Sequence, residues 1–181
     1  MWRWIKANST IFSNEHLPMK PLQLHISLNG TKPAVWRRVL VRQDITFLEL
    51  HSIIQAVMGW TDTHLFEFNI DGNVITEPDE DFDEDALSAA DETLVSWIKP
   101  TTKSFRYIYD FGDDWIHTIT VEEFTSSDRP TKLPVCVAGG GACPPEDCGG
   151  VYGYRDLLKE KNSAIDPHEF NLDEANDALF T

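Results

Sequence analysis

The sequence predicts an α+β fold, with helices packed on a mainly antiparallel β-sheet. Three observations carry that prediction. Most patterned segments alternate apolar and polar residues at the period of a half-buried strand, only a few follow the helical period, and the connections are short with no internal repeat. The chain has 181 residues, 41% hydrophobic and 25% charged, which suits one domain built on a single core. That domain is expected over residues 21–181, with residues 1–20 as an N-terminal extension.

The elements follow in order. Leu22, Leu24, Ile26 and Leu28 alternate with Gln23, His25 and Ser27, and Asn29-Gly30 then turns the chain. Residues 35–42 alternate again and should pair antiparallel with the first strand, placing Trp36, Arg38 and Leu40 on one face and Val35, Arg37, Val39 and Val41 on the other. Thr46-Phe47-Leu48-Glu49 is a capping box, whose hydroxyl and carboxylate satisfy backbone N–H groups left free at a helix start. The helix should run to Met58 and stop at Gly59, with Phe47, Leu50, Ile54, Val57 and Met58 as its apolar stripe. His51 falls on that stripe and reads as a core histidine with a satisfied ring.

Residues 64–70 alternate, Asp71-Gly72 is a hairpin turn, and residues 73–76 begin the return strand. Asp79, Asp81 and Asp83 imitate the first half of a calcium loop. Glu84 stands where that loop needs Gly and Ala90 where it needs a bidentate acid, so the run reads as a solvated acidic loop. Residues 105–110 and 115–124 form a central hairpin around Asp110-Phe111-Gly112-Asp113-Asp114. A Cys/Pro/Gly-rich loop is expected over 134–153, a helix near 154–161, a turn at Asp166-Pro167 and a final helix after Asn171.

The net charge of -15 is unevenly spread: residues 1–42 carry seven Lys/Arg against one acid, and residues 43–98 carry fourteen acids and no Lys or Arg. Such an acidic middle repels phosphate backbones, which leaves nucleic acid only a local contact through Arg37, Arg38 and Arg42. No stretch reaches the length of a membrane span, and the first residues lack the apolar core of a secretory signal, so a cytoplasmic protein without membrane contact is expected. Three cysteines cannot all pair within one chain.

Two constellations carry chemistry. In the first, Asp110, Asp113 and Asp114 of the central hairpin could bind a cation or a ligand amine, with His117 as a general base and Trp115 beside it. The plain alternative is that Gly112 turns the chain, the acids bond local N–H groups and Trp115 packs. Asp110-Phe111-Gly112 copies the magnesium-binding triplet of protein kinases, but their phosphate-covering loop and catalytic loop are missing. In the second, Cys136, Cys143 and Cys148 could hold zinc with His117, Asp147 or another side chain as fourth ligand, although structural zinc sites favour closer pairs, and buried or free thiols fit the same spacing. A nucleophilic Cys-His pair lacks an electropositive setting, because Glu146 and Asp147 adjoin Cys148.

Pro33-Ala34-Val35-Trp36-Arg37-Arg38, Thr46-Phe47 with Leu50-His51 and Ile54-Gln55, Met58-Gly59-Trp60 and His64-Leu65 make up the first half of a longer pattern. Tyr109 to Trp115 with His117, Pro144 to Gly150 with Gly153-Tyr154, and Phe170-Asn171 with Asn176 complete it. In this order they resemble the plasmid pRiA4b ORF-3-like family from Leu22 to Phe180. The resemblance implies an α+β domain of a largely uncharacterised family, some of whose members are labelled passenger proteins of transposable elements or resolvase-like. This acidic chain shows neither the nucleophilic serine domain nor the basic DNA-binding domain of a serine resolvase.

The sequence thus points first to a non-enzymatic module that binds a protein, peptide or small ligand in an acidic and aromatic groove around Trp36, Asp110, Trp115 and His117. Arg37, Arg38, His64, Asp113, Asp114, Glu146, Asp147 and Tyr154 are further candidate contacts. Arg37 or Arg38 is expected to pair with the hairpin aspartates across the sheet. A cation-dependent hydrolase or nuclease-like enzyme and a DNA-contacting accessory protein of a mobile element are the alternatives.

Overall fold

The computed structural model describes residues 20–77, 86–123, 130, 132–161 and 163–181. The N-terminal extension apart from Lys20, and the acidic run with Asp79, Asp81 and Asp83, lie outside the described residues. Eight strands form one sheet: β1 Leu22–Leu28, β2 Val35–Val41, β3 Phe66–Ile70, β4 Asn73–Thr76, β5 Leu87–Ser88, β6 Ser104–Tyr109, β7 Trp115–Glu122 and β8 Val135–Gly140. Their spatial order is β5-β4-β3-β6-β7-β1-β2-β8, and every neighbouring pair is antiparallel except β4 with β5. The helices are α1 Phe47–Met58, α2 Leu94–Trp97, α3 Gly150–Leu157 and α4 Leu172–Ala178. The fold is therefore α+β, and among the described residues no helix is long and apolar enough to cross a membrane.

The period of two sorts each central strand into a core face and an outer face. Leu28 lies opposite both Val35 and His117 on the core face, while Ser27 lies opposite Trp36 and Thr118 on the outer one. α1 covers the core face as its caps dictate. Thr46 accepts from the Glu49 N–H, Glu49 bonds back to the Thr46 N–H, and Gly59 ends the helix in the left-handed region at φ 83°. Phe47, Leu50 and Ile54 are fully buried against Phe68, Phe105 and Tyr107 of the sheet, each such side chain stabilising the fold by roughly 1.5–3 kcal/mol.

One closed polar ring lies within this core. Gln55 Nε2 donates to the Tyr107 hydroxyl at 3.0 Å, the hydroxyl lies 2.8 Å from His51 Nδ1, His51 Nε2 lies 2.7 Å from Asp62 Oδ1, and the Asp62 N–H returns to Gln55 Oε1 at 3.1 Å. Because the carboxylate can only accept, Nε2 carries the proton and Nδ1 accepts from the tyrosine. His51 also stacks on Phe66 at 3.7 Å. It is the satisfied core histidine that its place on the helical stripe implies, and its ring fixes the connection between α1 and β3.

The last third departs from expectation. Within the loop expected over 134–153 the structure holds β8, an edge strand that pairs with β2 through a bulge at Arg38/Val39. Its glycines conceal it in the sequence; a Cβ at Gly139 would lie 2.5 Å from the Phe170 ring. The Asn176 carboxamide accepts from the Cys136 N–H and donates to the Cys136 carbonyl, both at 2.9 Å. α3 begins at Gly150, earlier than the helix expected near 154–161, and Asp113 Oδ2 accepts from the Gly149 N–H at 3.1 Å, which puts a carboxylate beside the helix start.

Candidate functional site

Three chain segments meet at the end of the central hairpin. Asp110 follows β6 in the left-handed region at φ 57°, which turns its side chain back on the hairpin tip. Its Oδ1 accepts from the Gly112 N–H at 2.9 Å and the Asp113 N–H at 3.3 Å. The backbone N–H of Asp110 donates to the Leu65 carbonyl at 2.9 Å, which brings the preceding residue, His64, alongside. The imidazole packs edge-on to Tyr109 with ring centres 5.8 Å apart.

The third segment is the loop between β8 and α3, held down by side chains. Trp60 Nε1 donates to the Pro144 carbonyl at 3.0 Å. Glu146 accepts from the Tyr109 hydroxyl at 2.5 Å and from the Thr61 hydroxyl and N–H at 2.5 and 3.1 Å. Burial alone would raise the Glu146 carboxyl pKa, but the hydrogen bonds from Thr61 and Tyr109 outweigh it and hold the group below its usual range. Burial, reinforced by the bond to Glu146, pushes the Tyr109 hydroxyl up to about 12. Asp147, itself left-handed at φ 56°, is thereby presented to His64.

His64 Nε2 lies 3.1 Å from Asp147 Oδ1 and 3.7 Å from Asp110 Oδ2, yet this nitrogen is buried and has no hydrogen-bond partner. Asp110 is almost fully buried, whereas the Asp147 side chain is 74% exposed, so the cluster opens to solvent on one side. Among the described residues this is the one group of three or more His, Cys, Asp and Glu side chains whose ligand atoms all lie within 4.8 Å of one another. No Lys or Arg of the described residues pairs with Asp110 or Asp147.

The family model for the plasmid pRiA4b ORF-3-like protein matches residues 20–180, across all three segments. The chain belongs to that family. It is 40% identical over 139 residues to the uncharacterised protein y4hQ of Sinorhizobium fredii, covering 76% of this chain and 71% of that one. A crystal structure of a protein of unknown function from Methanosarcina mazei Go1 matches with a TM-score of 0.76 at 32% identity, covering 86% of this chain and 96% of that one.

The other residues that the family pattern contains are distributed differently from the expected groove. Trp115 and His117 share the core face of β7 and are fully buried, whereas Trp36 lies half-buried on the opposite face of the sheet beside His25, with the Arg38 guanidinium over its ring at 5.3 Å. No single groove unites Trp36, Asp110, Trp115 and His117. Burial drives the His117 pKa down to about 4 despite the carbonyls of Trp115 and Tyr107 that favour its protonated form, so it is a neutral core ring and not an accessible base. Tyr154 is also buried, and its hydroxyl donates to the Ala142 carbonyl at 2.7 Å.

The arginines do not reach the hairpin acids. Arg37 points into the core and donates to the carbonyls of Val57, Trp36, Gly140 and Gly141 at 2.8 to 3.1 Å, placing its charge at the C-terminal end of α1. Arg38 pairs with Glu122 at 2.7 Å, and Arg42 pairs with Asp44. One is buried and two are neutralised, so together they are not an exposed basic patch for DNA.

The three sulfurs do not form a cluster within 4.8 Å of one another. Cys136 faces the Ala138 carbonyl at 3.5 Å, and Cys148 lies 4.0 Å from the Gly150 carbonyl. Burial raises all three thiol pKa values, to about 12 at Cys143 and about 11 at Cys148, so in the metal-free protein they are protonated. Asp113 serves the start of α3, and Asp114 closes the hairpin turn, its N–H donating to the Asp110 carbonyl at 2.7 Å. Thr61, Thr63 and Tyr109 were not among the candidate contacts. Their role in seating Glu146 depends on a contact across some 80 residues for the threonines, which no local pattern reveals.

Proposed function

We propose that the protein is a binding module whose ligand carries positive charge and docks between His64, Asp110 and Asp147. The observation that carries this reading is the His64 imidazole, whose Nε2 lies 3.1 and 3.7 Å from two carboxylates, is buried and makes no hydrogen bond, with no Lys or Arg of the described residues beside them. Two carboxylates held this close repel each other until a cation arrives between them. Glu146, Asp113 and Asp114 on the same hairpin and loop add to the negative potential, which favours cations and disfavours phosphates. Binding is favoured over turnover because the candidate base, His117, is buried and neutral, and the three candidate thiols, of which Cys136 is buried, are held protonated by desolvation.

Asp147→Asn removes one exposed carboxylate without touching the core. Thermal unfolding of the wild type and of this variant, with a panel of divalent metal ions and polyamines, tests the reading. Some member of the panel is expected to raise the wild-type midpoint and to stabilise the variant less. A panel that stabilises neither protein, or both equally, would overturn it.

A further inference from the structure

We infer that the ligand of this pocket is a divalent first-row transition-metal ion, held by His64 Nε2, Asp110 Oδ2 and Asp147 Oδ1. The inference rests on the cationic-ligand reading above and adds the chemistry of the ligand. Distance decides between a metal ion and an ammonium group. Three atoms bound about 2.1 Å from one ion stand about 3.0–3.4 Å apart. Three acceptors arranged around an ammonium nitrogen at hydrogen-bond distance stand about 4.6 Å apart. The imidazole nitrogen is 3.1 Å from one carboxylate oxygen and 3.7 Å from the other, and each of the three residues offers a ligand atom within 4.8 Å of those of the other two. Both separations from the imidazole nitrogen are shorter than the ammonium spacing, and the shorter of them matches the spacing around a metal ion.

The donor set narrows the ion. Calcium and magnesium take oxygen ligands, whereas one imidazole with two carboxylates suits zinc, manganese, iron or cobalt. The surroundings fix the donors as a metal site requires. Asp110 Oδ1 is occupied by the N–H groups of Gly112 and Asp113, which leaves Oδ2 turned to the pocket. Glu146, bound to Tyr109 and Thr61, holds the loop that carries Asp147. The exposed flank of Asp147 leaves the remaining coordination positions to water or to a small ligand. The site is unrelated to the three cysteines, none of which belongs to the cluster.

Cobalt(II) titration of the metal-stripped full-length protein tests this, read by visible d–d absorption and by calorimetry. One equivalent is expected to bind, without the near-ultraviolet band of a thiolate ligand, and to be displaced by zinc but not by an equal amount of magnesium. His64→Gln and Asp147→Asn are expected to weaken binding by at least about tenfold, while urea unfolding of the metal-free variants stays close to wild type. Stoichiometric binding retained by both variants, or a thiolate band, would overturn the inference. If polyamines stabilise the wild type but not Asp147→Asn and cobalt does not bind, the metal falls and the cationic-ligand reading stands. If nothing binds, both fall.

Discussion

Arg37 and Arg38 are adjacent in the chain, yet their removal should differ in consequence. Arg37 is buried and donates to four backbone carbonyls, so Arg37→Ala removes all four of these hydrogen bonds and leaves the space of the side chain empty. The expected loss is about 3 kcal/mol or more. Arg38 and Glu122 are about 30% exposed, and Arg38→Ala should lose under about 1 kcal/mol. Urea midpoints of the two variants measure the difference, and equal losses would refute the assignment. His117 gives a pH dependence. Its pKa in the folded protein, about 4, lies below the 6.5 of an unperturbed histidine, so the unfolded chain takes up a proton that the native core excludes. The stabilisation is complete above pH 6.5 and is lost as pH falls to about 4, by about 3 kcal/mol. His51, also lowered by burial, acts in the same direction. His117→Leu should therefore flatten the stability profile across that window in part, read from urea unfolding at successive pH values. An unchanged slope would exclude His117 as a source.

At the scale of elements, glycines separate a steric requirement from a conformational one. A Cβ at Gly153 in α3 would lie 1.7 Å from the Cys148 carbonyl oxygen, so Gly153→Ala must displace the helix or the loop that carries Asp147. The loss should reach or exceed the upper end of about 1–3 kcal/mol. At Gly59 nothing lies within 4 Å, and only its φ of 83° opposes a side chain, so Gly59→Ala should lose about 1 kcal/mol. Thermal or urea unfolding orders the two, and the reverse order would count against the packing of α3. The elements legible in the sequence were those whose signals are local. The capping box at Thr46 and the stop at Gly59 fixed α1, and alternation with tight turns located β1 to β4 and the central hairpin. β8 was not legible, because Gly139 and Gly140 disfavour a strand and the strand is held by β2 and Asn176 from elsewhere in the chain. The site shows the same division. His64, Asp110 and Asp147 were each candidates as residue types within motifs, but their meeting depends on a loop closing over a hairpin, which no period encodes.

For the whole molecule, a net charge of -15 on 181 residues means that the folded state compresses like charges. Raising NaCl toward about 0.5 M shortens the screening length to a few ångströms and should raise the unfolding midpoint by a few degrees. A midpoint that stays constant or falls would show that attractive pairs such as Arg38 with Glu122 outweigh the repulsion. The two ends of the sheet raise a separate question of assembly. An exposed edge strand invites another chain to extend the sheet by main-chain pairing. At β8 both outward backbone groups of Cys136 are already taken by the Asn176 carboxamide, a side chain standing in for a ninth strand, and at the other end β5 offers only two residues. Addition of a strand beside Cys136 would first have to dislodge α4, so this sheet is guarded at that point against edge-to-edge polymerisation.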